Sequence, residues 1–284
     1  MTYAIITDSS SDLPVEIRRE FNLRVLPLTV VTADGTEIKD CDIQPKEIFD
    51  RMRAGEIFKT SQVSAGEFYD VFEEYAKEGT PLVYLAFSSG LSGTYNSACT
   101  ARDQILEKYP DFDISIVDTK CASTGMGLVV YKALCMQRDG ASKDEVIAAA
   151  EQNSYNLEHV FTVDDLKYLH RGGRVSKTAA IIGGVLGIKP ILHVDDEGKL
   201  IPIEKVRGRK TSIKRLAEIA GIRGYDLDKQ TIGICHGDCI DDAEELKRHM
   251  SEMYGCSEFI VSYTGSTVGC HSGPGTLALF FLSK

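Results

Sequence analysis

The feature that most constrains the fold of this chain is an alternation of short apolar runs with longer amphipathic stretches. In the first half the apolar runs are YAIIT, RVLPLTVV, PLVYLAF and ISIVD, and the stretches between them have the spacing of helices. Strands that alternate with helices favour a parallel sheet, because parallel strands need a crossover connection. The sequence therefore predicts an α/β fold with a mainly parallel sheet in its first half.

A second alternating series begins near residue 158. Its strand candidates are EHVFTV, KPILHV, KLIPIEKV, TIGICH and SEFIVSY, and no repeat or Gly/Ser-rich linker separates the two series. A chain of 284 residues is long enough for two domains, each with its own core. We expect an N-terminal α/β domain over residues 1–156 and a smaller C-terminal α/β domain over residues 157–284, with a ligand cleft between them.

Composition and charge narrow the classes of function. Hydrophobic residues make up 43% of the chain and charged residues 26%, as in ordinary soluble proteins. The net charge of −10 opposes attraction to a phosphate backbone, so we expect no nucleic-acid partner. The amino terminus lacks a basic region, and no later apolar run reaches the ~18 residues of a membrane span. The sequence predicts a cytoplasmic protein without stable membrane insertion.

The cysteines give no sign of a metal site. Eight are spread along the chain without a CxxC pair, which is typical of free thiols in a reducing compartment. The segment CHGDC at 235–239 follows a strand candidate and precedes an acidic helix start, which favours a strand-to-helix turn over zinc. We expect neither a metal nor a cofactor.

Three polar loops each follow a predicted strand: TDSSSD at 7–12, FSSGLSGT at 87–94 and VDTKCAST at 117–124. In a parallel sheet they meet at the carboxyl edge, where open α/β sheets bind ligands. A fourth polar stretch, KTSQVS at 59–64, ends at a predicted helix cap. Hydroxyls and glycines before helices offer N–H groups and a positive dipole end, which suit a carboxylate or a phosphate. The alternative is that these residues only cap helices.

Known catalytic templates fit these loops poorly. A nucleophile elbow requires G-x-S-x-G, whereas GLSGT has Thr94 at the last position. The same loop has no lysine for a phosphate-binding loop. One enzymatic alternative stays open, a hydrolase or acyltransferase that uses Ser92 with His271, because two distant residues can meet in a fold.

The second half adds a basic segment and a histidine in a glycine-rich sequence. Residues 167–215 contain 12 Lys and Arg against 4 Asp and Glu, a local net charge of +8. In LHRGGRV at 169–175, Arg171 and Arg174 flank two glycines, which favours contact with an anion or a partner. The motif HSGPG places His271 ahead of a predicted apolar helix.

The chain resembles the DegV family, whose members include the fatty-acid-binding subunits of bacterial fatty acid kinase. The resemblance covers nearly the whole length and rests on several motifs in order. These are TDSSSDLP near the start, TSQ at 60–62, SSGLSGTY at 88–95, VDT at 117–119, LKYLHRGGRV at 166–175, GIKPIL at 187–192 and HSGPG at 271–275. Together the motifs are highly specific for the family.

The resemblance implies two α/β domains, the first with a mainly parallel Rossmann-like sheet, that enclose a tunnel for one long-chain fatty acid at their interface. The residues it implies around the carboxylate are Thr60, Ser61, Ser92, Gly93 and His271. It implies that Arg171 and Arg174 lie near the tunnel mouth, as a gate or as a docking site for a fatty acid kinase catalytic subunit. That separate ATP-dependent kinase would convert the carboxylate to an acyl phosphate. The chain itself is then a carrier in phospholipid synthesis and not an enzyme.

The tunnel walls are harder to predict. The apolar candidates are Ile181, Ile182, Val185, Leu186, Phe280 and Phe281, although core packing explains them equally well. One departure from the family pattern is Val63 after TSQ, where proline is frequent, and this affects the stiffness of the loop rather than ligand chemistry. The sequence leaves open the acyl-chain length, the preference for saturation and the oligomeric state.

Overall fold

The computed structural model of the chain describes residues 3–176 and 187–283. Within these ranges the strands, in chain order, are β1 (Ala4–Asp8), β2 (Arg24–Leu26), β3 (Thr29–Val31), β4 (Glu37–Lys39), β5 (Lys59–Ser61), β6 (Leu82–Ala86), β7 (Ile114–Asp118), β8 (Leu157–Thr162), β9 (Ile188–Val194), β10 (Leu200–Arg207), β11 (Thr231–His236), β12 (Glu258–Tyr263) and β13 (Leu277–Leu282).

The helices described in the same ranges are α1 (Val15–Glu20), α2 (Pro45–Arg53), α3 (Ala65–Glu78), α4 (Thr94–Lys108), α5 (Ser123–Arg138), α6 (Lys143–Asn156), α7 (Lys167–Arg171), α8 (Arg209–Arg223), α9 (Ile240–Tyr254) and α10 (Ser266–Ser272). Capping boxes are present at the starts of α3 and α6, where Ser64 pairs with Glu67 and Ser142 with Glu145. No helix within the described ranges combines the length and the apolar character that crossing a bilayer requires.

The first half forms the predicted parallel sheet. Its strand order is β2-β1-β6-β7, and every neighbouring pair is parallel. The carboxyl ends of β1, β6 and β7 therefore lie side by side, and the three polar loops leave the sheet at one edge. The α/β fold with a parallel first sheet is confirmed.

The run RVLPLTVV does not form one strand. It divides into β2 and β3 on either side of Pro27, which has no N–H to donate to a ladder. Strand β3 belongs to a small antiparallel sheet of order β4-β3-β5, in which Val30 faces Thr60. The TSQ segment therefore begins in this small sheet, as part of β5, and not in the parallel sheet.

The second half forms a mixed sheet of order β10-β9-β8-β13-β11-β12, in which only the pair β11 and β12 is parallel. The prediction of an apolar helix after HSGPG was wrong, because this segment is the central strand β13. A strand buried on both faces is apolar throughout, so its sequence resembles a buried helix. Phe280 packs into the core beneath α5, whereas Phe281 packs on the opposite face of the sheet, towards α8 and α9.

A continuous core joins the two large sheets. It includes Val83 and Leu85 from the parallel sheet, Leu192 and Phe280 from the mixed sheet, and the apolar side chains of α5 between them. The first eight residues of α5 are all buried. The division into domains stays a prediction, and the chain passes from α6 to β8 between Asn156 and Leu157.

Candidate functional site

The loops at the carboxyl edge of the parallel sheet are tied together by a buried carboxylate. Asp8 ends β1 and accepts hydrogen bonds from Tyr84 Oη at 2.6 Å, from the Phe87 N–H at 3.0 Å and from the Ser10 N–H at 3.0 Å. Removal from solvent raises the pKa of Asp8. Because Tyr84 lies in β6 and Phe87 follows it, this carboxylate holds the first polar loop against the second.

A cavity of about 160 Å³ lies between these loops and the mixed sheet. Most of its lining is apolar and comes from both halves of the chain. The apolar residues are Leu28, Phe87, Leu91, Ala122, Phe161, Leu169, Val194, Leu200, Val268, Ala278 and Phe280. Among the predicted wall residues, Phe280 lines the cavity and Phe281 does not, since successive side chains of a strand point to opposite faces. Ile181, Ile182, Val185 and Leu186 lie outside the described residues.

One part of the cavity wall is polar, and it is centred on Thr60 and His271. Thr60 Oγ1 lies 2.7 Å from Nε2 of His271, which is the second-last residue of α10. Thr60 reaches the cavity because strand β5 alternates, and the same alternation leaves Ser61 exposed and outside the cavity lining. Of this predicted pair, only Thr60 lies where a carboxylate in the cavity could meet it.

Ser92 and Gly93 line the same polar part of the cavity, at the start of α4. Ser92 Oγ lies 2.9 Å from Thr94 Oγ1 and accepts a hydrogen bond from the Thr94 N–H at 3.2 Å. Gly93 packs so tightly against Gln62 that a Cβ there would lie 2.1 Å from Gln62 Oε1. The helix therefore presents its positive end, a hydroxyl and a close backbone approach to this part of the cavity.

Arg174 lines the cavity beside His271, whereas Arg171 does not. The half-buried Arg174 guanidinium donates from Nε to the Leu91 carbonyl at 3.1 Å and from Nη1 to the Gly172 carbonyl. Arg171 is exposed and lies over the Tyr168 ring, 5.9 Å from its centroid. The family resemblance assigned both arginines to one gate or docking site. In the structure Arg174 lines the cavity, whereas Arg171 lies on the surface.

The electrostatics of this polar part favour an anion. Burial and the nearby Arg174 charge lower the pKa of His271 to about 4, so its imidazole is neutral at pH 7. Burial also lowers the pKa of Arg174, and within the described ranges no carboxylate forms an ion pair with it. A guanidinium that is half-buried beside an apolar cavity without a counter-ion is satisfied best by a ligand that carries negative charge.

A second polar cluster lines the cavity near the turn at Ser9–Ser11. Ser123 Oγ donates to Asp12 Oδ2 and lies 3.2 Å from Cys235 Sγ, which also accepts from Thr264 Oγ1 at 3.3 Å. Burial raises the pKa of Asp12 to about 8, with smaller contributions from the charges of Asp40 and Asp8. The loops that carry Asp12 and Ser123 were predicted from the sequence, but this cluster was not, because Cys235 and Thr264 lie more than 100 residues away.

The same geometry bears on the enzymatic alternative. Ser92 Oγ is paired with Thr94, and Nε2 of His271 is paired with Thr60, so the described residues form no Ser92–His271 dyad. The described residues also contain no group of three or more His, Cys, Asp or Glu side chains that could hold a metal ion. The arrangement can bind an anion with an apolar tail, and within the described residues Ser92 and His271 are not placed to activate each other.

Comparison with known proteins identifies relatives along the full length. Residues 2–284 match the model of a family described as "Uncharacterised protein, DegV family". A DegV domain-containing protein of Clostridium perfringens, CPE0026, is 46% identical, and the alignment covers 99% of this chain and 97% of that protein.

Solved structures of similar proteins have the same fold. A DegV lipid-binding protein from Thermotoga maritima superposes with a TM-score of 0.88 at 31% identity, and the match covers 100% of both chains. A DegV family protein from Thermus thermophilus, described by its fatty acid binding, superposes with a TM-score of 0.89 at 29% identity over 100% of both chains.

Proposed function

We propose that this chain, which belongs to the DegV family, is a lipid-binding carrier that holds one long-chain fatty acid in the cavity between its sheets. The acyl tail lies against the apolar lining, and the carboxylate lies at the polar part formed by Thr60, Ser92, Gly93, Arg174 and His271. Two similar proteins, from Thermotoga maritima and Thermus thermophilus, are described as binding lipid or fatty acid, and this supports the proposal.

The observation that carries the proposal is the position of Arg174. Its guanidinium lines the polar part of a mainly apolar cavity, lies close enough to His271 to lower the pKa of that residue, and has no carboxylate partner among the described residues. A buried carboxylate needs several donors to offset the loss of hydration. Arg174, Ser92 and the amino end of α4 supply them, while neutral His271 and Thr60 adjust as donor or acceptor.

The tail accounts for most of the binding free energy. Burial of an acyl chain stabilises the complex by ~0.8 kcal/mol per methylene, so a dozen methylenes contribute roughly 10 kcal/mol before the cost of ordering. The polar groups then select a carboxylate and fix its orientation. This division of roles matches a cavity whose lining is mainly apolar, with the polar part at Thr60 and His271 as one of its two polar clusters.

We further propose that the bound acid is presented to a separate ATP-dependent fatty acid kinase, which forms an acyl phosphate in the cytoplasm. Family resemblance is the main support for this step. The exposed Arg171, three residues before the cavity residue Arg174, and the basic character of residues 167–215 supply a surface that attracts an acidic partner.

The direct test is mass spectrometry of an organic extract from purified protein. We expect a long-chain fatty acid in near one-to-one amount, because burial of an acyl chain against the mainly apolar lining is favourable. Circular dichroism on the same sample establishes that the protein is folded. Folded protein that yields no fatty acid, and binds none when titrated with octadecanoate, would contradict the proposal.

A further inference from the structure

The glutamine of the TSQ motif lies at the rim of the cavity. Gln62 lines the cavity although it is exposed, and the proposed function leaves it without a role. Its side chain crosses to α4, where Nε2 donates a hydrogen bond to Ser97 Oγ at 2.6 Å. Ser97 is buried and does not line the cavity. The Gln62 amide therefore links the TSQ segment to the helix that begins at the head-group site.

The same amide lies directly on Gly93. A Cβ on Gly93 would lie 2.1 Å from Oε1 of Gln62, 2.9 Å from its Cδ and 3.1 Å from its Nε2. The φ of Gly93 is −75°, so a glycine is required here by lack of space and not by the backbone angle. Gly93 is the N-cap residue of α4 and follows Ser92. Gln62 thus packs on the start of α4 beside a proposed carboxylate partner.

This link joins the two segments that supply the head-group hydroxyls. Thr60 lies in β5 and is paired with His271, whereas Ser92 lies just before α4 and is paired with Thr94. Within the described ranges, the hydrogen bond from Gln62 to Ser97 is the one that joins residues 59–64 to residues 87–108. The spacing of the Thr60 and Ser92 hydroxyls therefore depends on it.

Apolar packing holds the TSQ segment in the fold without fixing that spacing. Val63, the next residue, is buried in the same core as Phe68, Ala98 and Ala101. Hydrophobic contacts are non-directional, whereas a hydrogen bond requires a defined distance and angle. Loss of the Gln62 amide should therefore leave the fold intact and loosen the spacing of the two hydroxyls.

We propose that Gln62 is a positioning residue, which sets the spacing of Thr60 and Ser92 and so gives the cavity its preference for a carboxylate. A carboxylate has two oxygens that need partners at fixed positions, whereas an alcohol presents one oxygen. Preorganised partners consequently favour the acid over the alcohol. This inference rests on the proposed fatty-acid function and names a residue that makes the head-group site selective.

The test compares octadecanoic acid with octadecan-1-ol, both supplied as cyclodextrin complexes to delipidated protein and measured by displacement of a fluorescent fatty acid. Gln62→Ala and Ser97→Ala are each expected to weaken the acid about five-fold and the alcohol less than two-fold, because each removes the same hydrogen bond. The double variant should be no weaker than the weaker single variant, since the two residues act as one unit. Ser61→Ala, which changes an exposed neighbour, should bind both ligands normally.

Three results would overturn the inference. Equal losses for the acid and the alcohol would show a general structural role, and wild-type affinity for the acid in Gln62→Ala would show no role. A loss in Gln62→Ala with normal binding in Ser97→Ala would mean that Gln62 meets the carboxylate directly. Failure of the wild-type protein to bind octadecanoic acid would instead overturn the proposed function.

Discussion

Oγ1 of Thr60 lies 2.7 Å from Nε2 of His271, although 211 residues separate them in the chain. The contact joins the small antiparallel sheet to α10, and with Arg174 it defines the polar part of the cavity. Since the low pKa of about 4 keeps His271 neutral at pH 7, its ring can accept or donate through Nε2. This pair is therefore the natural starting point for mutagenesis.

Removing a head-group hydroxyl should weaken binding of the fatty acid. Thr60→Val and Ser92→Ala are each expected to reduce the binding free energy of octadecanoic acid by about 1–3 kcal/mol, because each deletes a polar partner of a buried anion. Titration calorimetry measures the effect. Ser61→Ala is the matched control. The Ser61 side chain is exposed, so this variant should bind octadecanoic acid normally. If both test variants bound octadecanoic acid with wild-type affinity, this polar part of the cavity would not be where the carboxylate binds.

The two arginines should behave differently. Arg174→Ala is expected to weaken fatty-acid binding by more than ten-fold, because it removes the positive charge beside the carboxylate, and Arg174→Lys should retain part of the affinity. Arg171→Ala should bind normally, since its side chain is exposed and outside the cavity.

When a cognate kinase and ATP are supplied, the kinase should form acyl phosphate slowly from fatty acid bound to Arg171→Ala, although this variant binds the fatty acid normally. A coupled phosphorylation assay on the variant that binds fatty acid normally separates docking of the kinase from binding of the fatty acid. Normal binding in Arg174→Ala would contradict its place at the carboxylate, and normal phosphorylation in Arg171→Ala would contradict docking at that surface.

A methyl group on Gly172 should disturb the site without straining the backbone. A Cβ there would lie 2.1 Å from Nδ1 of His271, and the backbone of Gly172 has ordinary helical angles, with φ of −71°. Gly172→Ala is expected to push the imidazole away from Thr60 and reduce affinity for octadecanoic acid about ten-fold. Gly66→Ala, in α3, is the control, because its Cβ would meet only Ser64 Oγ at 4.0 Å. Equal affinities for the two variants would show that the ring position is unimportant.

Asp12 should make the protein less stable as the pH rises. Burial raises the pKa of this carboxyl from 3.8 to about 8, so the folded state keeps a proton that the unfolded state releases. Its contribution to stability is complete below pH 4 and is lost as the pH rises towards 8, with a slope of up to about 1.4 kcal/mol per pH unit.

The matched variant is Asp12→Asn, which is neutral at every pH. Urea unfolding at several pH values gives the free energy of unfolding of both proteins. The free energy of unfolding of Asp12→Asn, minus that of the wild-type protein, should increase between pH 4 and pH 8. A constant difference over this range would mean that Asp12 is ionised in the folded protein.

Much of the fold could be predicted from local patterns. The apolar runs that became β1, β6 and β7 are short and bounded by polar loops, and Ser64 with Glu67 marks a helix start through contacts four residues apart or fewer. Such signals depend on neighbouring residues, so they can be detected without knowledge of the tertiary structure. Two segments are exceptions. The run RVLPLTVV divides at Pro27 into β2 and β3, and β13 is buried on both faces, which removes the alternation that often distinguishes a strand.

The sequence by itself determined most strands and helices of the two alternating series, the polar loops at the carboxyl edge and the motifs of the family. Only the tertiary structure decided which residues of those motifs share the cavity: it brings Thr60, Ser92 and Arg174 to His271 and leaves Ser61 and Arg171 outside. The physical reason is that side-chain direction depends on strand alternation and on the packing of distant elements. Alternation assigns a side chain to a face only once the strand and its partners are known, and the packing of distant elements is not encoded in the local spacing of a motif.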